Sequence, residues 1–319
     1  MKILFFIKTT QNLFNFKKLG GIEILNYDLY NFFKKRNNNN NIIFKNKITN
    51  KVKNTNWDIV LSSNDPSIFN IVNTKRKILW LHNKMQIEKS IRKKQFFSLI
   101  FNKIEAVFVS KYLEKRTSFI YNFNKRIVIP NFLSKDFSKT NRKRFVRKKI
   151  FVWSVQRERG LSDVIDVWIN KIITKHPNAE LHIFGVKNNA DNKKLRHYNI
   201  FKHGRVSRNI LIAYYRKSMA SICLGYDETF CLNAIEAMSC GLPIITLGKT
   251  ALNELIINKI NGFKITSIND LDQTINKIIN LSFLKRNKLT KSTIEYSKKY
   301  HLKIIIKHWY RLFNYESFN

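Results

Sequence analysis

The chain has 319 residues, enough for two domains, and its 44% hydrophobic content can supply two cores. Its 59 basic residues exceed its 21 acidic residues by 38 charges, which suggests an anionic partner such as nucleic acid or a membrane surface. No apolar run reaches the ~18 residues of a membrane span, and the five apolar residues after Lys2 are too few for a signal-peptide core. We expect a cytoplasmic protein, either free or peripheral to a membrane.

The first part of the chain predicts alternating strands and helices. A strand at Lys2–Ile7 is followed by a loop that ends in Gly20-Gly21 and by an amphipathic helix. Further strands are predicted at residues 58–62, 78–82, 106–110 and 126–130. Such alternation is typical of an α/β domain with a doubly wound parallel sheet.

Residues 134–149 are polar and very basic and have no hydrophobic period, so we place the interdomain linker there. The second half repeats the alternation, with helices at 160–175 and 207–217 and strands at 150–154, 179–185, 220–224 and 243–247. The predicted domains are 1–140 and 141–300. The remaining residues, 301–319, predict a helix that packs back on the first domain.

Residues 225–247, GYDETFCLNAIEAMSCGLPIITL, predict a loop, a short helix and a buried strand. Glu228 falls in the loop and Glu236 in the helix, and either could be an ordinary solvated charge. A carboxylate can also accept two hydrogen bonds from a vicinal diol, so one glutamate suits a ribose and the other a hexose. The amides expected at the helix start, where an anion such as a diphosphate would bind, are those of Thr229, Phe230 and Cys231.

The motif ETF precedes the predicted helix, and the motif EAMSCGLPIIT starts within it. With these two motifs, the stretch resembles the group 1, family 4 glycosyltransferases, which are retaining enzymes of the GT-B fold. The resemblance implies two Rossmann-like domains facing across a cleft, with the donor bound mainly to the second domain and the acceptor entering from the first. It also implies a metal-independent reaction without a cofactor, from a UDP- or GDP-linked sugar to a glycan or lipid-linked acceptor. In this family pattern Glu236 holds the ribose diol and Glu228 a hexose hydroxyl.

Two motifs of the first half resemble parts of the same family. GGIE corresponds to its glycine loop, where the backbone at Gly20 and Gly21 would approach a phosphate, although a glycine pair before a helix is also an ordinary turn. WLHNKM corresponds to its histidine-bearing strand end, where His82 would face the transferred sugar or the acceptor. A core histidine at a strand end explains His82 equally simply.

Two motifs of the second half complete the resemblance. In SVQRERGL, Arg159 takes the place of the family lysine and would clamp the diphosphate. The family's second, upstream arginine is missing or shifted to Arg157, which leaves a catalytically inactive GT-B protein as an alternative. In GRVSRN, Gly204 and Arg205 are candidates to lie beside the base.

Residues 84–149 carry 19 basic and 4 acidic side chains, a net charge of 19 − 4 = +15. Within this segment, Lys89, Arg92, Lys93, Lys94 and Lys103 surround several apolar residues in a predicted amphipathic helix. We expect contact with an anionic membrane surface that carries a lipid-linked acceptor. Solvated lysines over an ordinary core face remain an alternative, and nucleic-acid binding is supported by charge alone.

Overall fold

The computed structural model describes residues 1–9, 19–37, 41–138, 148–155, 160–186 and 192–314. The chain forms two compact units, one from Met1–Ser134 with Leu302–Asn319 and the other from Lys135–His301. Each unit is built on one six-stranded sheet. Within the described ranges, no helix is long and apolar enough to cross a membrane.

The sheet of the first unit is parallel throughout its described pairings. Its strands are β1 (Ile3–Ile7), β2 (Ile42–Lys45), β3 (Trp57–Ser63), β4 (Thr74–Leu81), β5 (Glu105–Phe108) and β6 (Lys125–Val128). Their order is β2-β1-β3-β4-β5-β6. Every residue of β1 and β5 is buried, as expected for strands of a parallel sheet that helices cover on both faces.

The sheet of the second unit is also parallel. Its strands are β7 (Ile150–Trp153), β8 (Glu180–Phe184), β9 (Ile200–Gly204), β10 (Ala220–Ile222), β11 (Ile244–Thr246) and β12 (Gly262–Lys264). Their order is β12-β11-β10-β7-β8-β9. The chain runs outward from β7 to β9 and then returns to the other side of β7. The strand order therefore reverses between β7 and β10, and such a switch point is where open α/β sheets bind ligands.

Helices connect the strands of both units. In chain order they are α1 (Gly21–Asn37), α2 (Asn50–Lys53), α3 (Ile87–Arg92), α4 (Phe96–Phe101), α5 (Lys111–Arg116), α6 (Lys135–Ser138), α7 (Leu161–Val167), α8 (Ile173–Lys175), α9 (Asn192–Arg196), α10 (Arg208–Lys217), α11 (Leu232–Ser239), α12 (Leu252–Leu255), α13 (Leu271–Ile279), α14 (Phe283–Ser297) and α15 (Leu302–Phe313). A π-helical turn at Trp168–Ile172 joins α7 to α8. Short 3-10 turns lie at Pro66–Asn70, Ile268–Asp270 and Lys298–Tyr300.

The last helix, α15, belongs to the first unit because its aromatic side chains pack there. The Trp309 ring lies 4.8 Å from the Trp80 ring, and the Phe313 ring lies 5.0 Å from the Phe33 ring. The Arg76 guanidinium donates to the Leu312 carbonyl at 2.6 Å. The end of the chain thus contributes both to the core and to the polar network of the first unit.

The boundary between the units lies between Ser134 and Lys135 rather than after residue 140. The reason is α6, which packs on the second unit. Phe137 is buried, with its ring 6.3 Å from Tyr215, and Asp136 accepts a hydrogen bond from Arg208 at 3.0 Å. Residues that look like the start of a polar linker therefore begin the second unit.

Two doubly wound parallel sheets confirm the predicted α/β class. Three strands were not predicted, namely β2, β9 and β12. Each has only three to five residues, and each includes polar or exposed positions at its end. Such short strands have no periodicity to detect, and neighbouring strands stabilise them through backbone hydrogen bonds.

Candidate functional site

The carboxyl ends of β7 and β10 meet at the switch point of the second sheet. The loop after β10 carries Glu228 and leads into α11, which carries Glu236. Both glutamates thus belong to one connection at the place where the fold binds ligands. The other connection, after β7, holds Arg157 and Arg159, which lie outside the described residues.

The loop that carries Glu228 has a defined backbone. Gly225 adopts a φ of +85°, and a Cβ at this position would lie 2.7 Å from Leu252 Cδ1, so any other residue would be strained and would displace the Leu252 side chain. Thr250 Oγ1 donates to the Gly225 carbonyl at 2.8 Å, and the Ala251 amide donates to the Glu228 carbonyl at 3.3 Å. The residues after β11 therefore hold the Glu228 loop from one side.

Helix α11 begins at Leu232, with Cys231 as its N-cap residue in the left-handed region at a φ of 71°. The amides of Thr229 and Phe230 lie in the loop before the helix, rather than in its first turn as the sequence suggested. The Phe230 side chain is buried with its ring 5.9 Å from Tyr300. Any ligand contact of Phe230 is therefore confined to its backbone.

The Cys231 side chain is also committed to packing. Its sulfur lies 3.3 Å from the sulfur of Cys223, and both thiols are buried and free. The hydrogen bond with Cys223, together with burial, raises the pKa of the Cys231 thiol well above its ordinary value. A neutral thiol at the N-cap does not itself place a negative charge beside the first amides of α11.

Glu236 has the most informative electrostatics of the candidate residues. Burial raises the pKa of its carboxyl group from 4.5 to about 7, with Asp136 raising it further and the Arg208 guanidinium opposing both. Arg208 is itself paired with Asp136 at 3.0 Å. The carboxyl group is therefore close to half ionised at neutral pH, which makes it sensitive to any ligand that donates hydrogen bonds to it.

A polar network links Glu236's helix to the end of β7. The Tyr215 hydroxyl donates to Ser154 Oγ at 2.8 Å, and Asn233 Nδ2 donates to the Ser154 carbonyl. Ser154 lies just before the segment that contains Arg157 and Arg159. Sequence reasoning missed Asn233, Tyr215 and Arg208. Only Asn233 has a usable signal, its position one turn before Glu236 on the same helix.

The far end of the arginine segment is fixed by Gly160. Its φ is +82°, and a Cβ there would lie 2.4 Å from Cε2 of Tyr226. Tyr226 precedes Glu228 by two positions in the chain. The connection that carries Arg157 and Arg159 therefore ends against the loop that carries Glu228.

Gly204 and Arg205 lie at the end of β9, which is an edge strand separated from β7 by β8. Adjacent strands are ~4.8 Å apart, so this strand end is about 10 Å from β7 in the hydrogen-bonding direction. Gly204 adopts a φ of 64° and accepts a hydrogen bond from the Gly185 amide at 2.7 Å. The role of Gly204 and Arg205 beside the nucleotide base stays a prediction.

In the first unit, His82 directly follows β4 and is buried. Its ring lies 4.5 Å from the Trp80 ring, and its backbone amide donates to Asn64 Oδ1 at 2.8 Å. Burial lowers the pKa of the imidazole to about 3, so the ring is neutral at physiological pH. A role toward a sugar would therefore rest on hydrogen bonding and not on positive charge.

Gly20 and Gly21 stand at the start of α1, where Gly21 is the first helical residue. A Cβ on Gly20 would lie 2.6 Å from Glu23 Oε2. The Glu23 carboxylate therefore lies against Gly20 and would have to move for a phosphate to approach this glycine. The phosphate role of this pair stays a prediction.

One Asp-x-Asp sequence, Asp270-Leu271-Asp272, occurs in the second unit, although no metal ligand was expected from the sequence. Asp270 accepts hydrogen bonds from Thr266 and Ser267, and Asp272 pairs with Lys175 at 2.9 Å. Both carboxylates are thus occupied in capping and ion pairing.

Two α/β units, each built on a six-stranded parallel sheet, match the fold class of the GT-B glycosyltransferases. The family described as "Glycosyl transferases group 1" matches residues 134–300, more than half of the chain. This chain therefore belongs to the group 1 glycosyltransferases. No curated protein matches it by sequence.

Solved structures support the same fold. Sucrose-phosphate synthase from Thermosynechococcus elongatus has a TM-score of 0.71 and 14% identity over 98% of both chains. Anabaena HepE in complex with UDP and glucose has a TM-score of 0.70 and 15% identity, over 99% of this chain and 100% of that chain. A mutant of S. aureus TarM in complex with fondaparinux, α-GlcNAc-glycerol and UDP has a TM-score of 0.62 and 19% identity over 80% of this chain. The match spans only 55% of the TarM chain.

Proposed function

We propose that this protein is a retaining, metal-independent hexosyltransferase that moves a sugar from a nucleotide-diphosphate donor to an acceptor hydroxyl. The observation that carries the proposal is the placement of Glu228 and Glu236 on one connection at the switch point, inside the segment matched to the family. Of the two donor types, we favour UDP, because the HepE and TarM structures were obtained with UDP.

The donor would be held by groups of complementary chemistry. Glu236 accepts hydrogen bonds from the ribose diol, and Glu228 accepts one from a hexose hydroxyl. The diphosphate lies against the first amides of α11 and the loop amides from Thr229 to Cys231, where the positive end of the helix dipole favours an anion. Arg159 and Arg157 add positive charge from the neighbouring connection. Gly204 and Arg205 are assigned to the base.

In the transfer step, the bond between the anomeric carbon and the diphosphate oxygen breaks, and a bond to the acceptor oxygen forms on the same face of the sugar. The proton of the acceptor hydroxyl leaves toward the departing diphosphate. Negative charge therefore grows on the diphosphate beside an oxocarbenium-like sugar. Arg159 and the α11 amides stabilise that charge more in the transition state than in the bound donor, which is the condition for acceleration.

A thermal-shift screen of the purified protein against nucleotides and sugar nucleotides tests the donor assignment. A ligand at 100 times its dissociation constant should stabilise the protein by ~2.7 kcal/mol. The same screen on Glu236→Gln should lose most of the shift, while Glu295→Gln, a surface glutamate paired with Lys298, serves as the matched control. An equal ligand-induced thermal shift in the unchanged protein and in both variants would show that Glu236 does not contact the nucleotide.

A further inference from the structure

The helices α3 and α4 of the first unit expose large apolar side chains to solvent. Ile87 and Ile91 of α3 are 39% and 55% exposed, and Phe97 and Phe101 of α4 are 70% and 74% exposed. In each helix the two residues are four positions apart and so lie on one side of it. We call these four residues, with the basic side chains of the same segment, the basic apolar face.

The exposure of this face follows from how the two helices are anchored. Ser90 of α3 and Ser98 and Leu99 of α4 are buried. Ser98 Oγ donates to the Pro66 carbonyl at 2.9 Å, and Gln95, between the helices, donates to Asp65 Oδ1 at 2.8 Å. These contacts fix one side of each helix against the rest of the unit, so the opposite side faces solvent.

The net charge on this segment is positive. Residues 87–103 contain five basic side chains and one acidic one, a net charge of 5 − 1 = +4. The basic residues are all exposed, and they are Lys89, Arg92, Lys93, Lys94 and Lys103. Exposed apolar groups among exposed cations match a surface that offers both hydrocarbon and negative charge, which is the interface of an anionic bilayer.

The mixture of aromatic and aliphatic side chains on this face favours lipid over nucleic acid. The rings of Phe97 and Phe101 lie parallel, with an interplanar angle of 5° and centroids 6.3 Å apart. Parallel exposed rings are compatible with stacking on a base, but the aliphatic Ile87 and Ile91, which make up the other half of the apolar side chains, offer no stacking surface to one. All four side chains can enter the acyl region next to the headgroups.

We propose that the basic apolar face binds the surface of an anionic membrane, so that the enzyme acts on a lipid-linked acceptor there. Binding through this face requires neither donor nor turnover, so its test is independent of the proposed transferase activity. The four apolar side chains enter the interface, and the basic residues pair with the headgroups of acidic phospholipids.

Vesicle co-sedimentation of the full chain tests this proposal, with phosphatidylcholine vesicles that contain or lack phosphatidylglycerol. We expect binding that needs phosphatidylglycerol and falls with salt. A triple variant, Arg92→Gln with Lys93→Gln and Lys94→Gln, should weaken partitioning on the order of 100-fold, since each basic residue contributes about fivefold. The double variant Phe97→Ser with Phe101→Ser should weaken it at least about tenfold.

The matched control removes three charges elsewhere on the same unit. Lys47→Gln with Lys51→Gln and Lys53→Gln alters exposed residues beside the edge strand β2, and it should leave partitioning near that of the unchanged protein. An equal loss in this control would overturn the proposal, because binding would then follow net charge. All substituted side chains are exposed, and thermal melting checks that every variant folds.

Four other results would also overturn the proposal. Equal recovery of the protein with neutral and anionic vesicles, or no recovery with either, would rule out binding to an anionic membrane. Sedimentation velocity could show that the unchanged protein is a dimer and the double phenylalanine variant a monomer. The basic apolar face would then bind a second copy of this chain. An oligonucleotide that displaces the protein from vesicles and whose binding depends on the same phenylalanines would assign it to nucleic acid.

Discussion

Replacing Glu236 with glutamine should stabilise the protein above neutral pH while weakening its binding of nucleotides. The native carboxyl group has a pKa of about 7, against 4.5 without the fold. The native state therefore retains a proton that the unfolded state releases between these values. Stability falls as the pH rises through this window, and the loss is complete above about pH 7.

The magnitude follows from the size of the shift. A difference of about 2.5 units at ~1.4 kcal/mol per unit gives up to about 3 kcal/mol of destabilisation at pH 8, which an uncharged glutamine avoids. Near pH 4 the carboxyl group is mostly protonated in both states, and Glu236→Gln should have little effect. Urea unfolding of both proteins at several pH values measures this difference.

Nucleotide affinity should change in the opposite direction. The ionised carboxylate accepts the ribose hydroxyls, and charged hydrogen bonds contribute roughly 1.5–3 kcal/mol, so Glu236→Gln should lose on the order of 30-fold in affinity. For the unchanged protein, affinity should fall about tenfold from pH 8 to pH 6 as the carboxyl group is protonated. Calorimetry with a sugar nucleotide, whose diphosphate does not titrate in this range, measures both effects. Parallel pH profiles for the two proteins would refute the reasoning.

Four further predictions concern other residues. Arg159→Ala should lower kcat on the order of 10²-fold with a smaller change in KM, and Arg159→Lys should recover part of it; a near-normal kcat in steady-state kinetics would shift the role to another cation. Asn233→Ala, which leaves the Ser154 carbonyl without this donor, should cost about 1–3 kcal/mol in urea unfolding and lower kcat, whereas an unchanged kcat would argue against a positioning role. Gly160→Ala should destabilise by about 1–3 kcal/mol because of its φ of +82° and the contact with Tyr226, and a Tyr226→Ala background should recover the steric part in the same assay. Trp309→Ala should cost about 3–5 kcal/mol of thermal stability, since its ring is fully buried against Trp80, and a loss below 1 kcal/mol would contradict that packing.

Strands β1 and β7 were predictable because each is an unbroken run of buried apolar residues. Ile3–Ile7 and Ile150–Trp153 consist of large apolar residues, which a parallel sheet requires. The boundary at Ser134 was not predictable, because α6 looks polar in sequence, and its packing on the second unit involves Phe137 and an ion pair with distant Arg208. Contacts of this kind depend on tertiary packing and leave no local signal.

Some features of the candidate site could likewise be predicted from the sequence, and others could not. Glu228 and Glu236 could be found from the sequence because their chemistry and spacing resemble a known family pattern. The raised pKa of Glu236 could not, since it depends on burial and on the charges of Asp136 and Arg208, residues far from it in sequence. The commitment of Phe230 and Cys231 to packing likewise becomes visible only when Tyr300 and Cys223 are placed beside them.

The most direct test of the central claim is to follow a donor reaction by proton NMR. The purified protein is incubated with a panel of α-linked UDP- and GDP-sugars, together with glycan and lipid-linked acceptors. We predict release of UDP and a product that keeps the α configuration, with both signals strongly reduced in Glu236→Gln at neutral pH. A β-configured product would contradict retention. If the protein binds a donor but releases no UDP with any of the acceptors, the result would contradict transferase activity and support the inactive GT-B alternative.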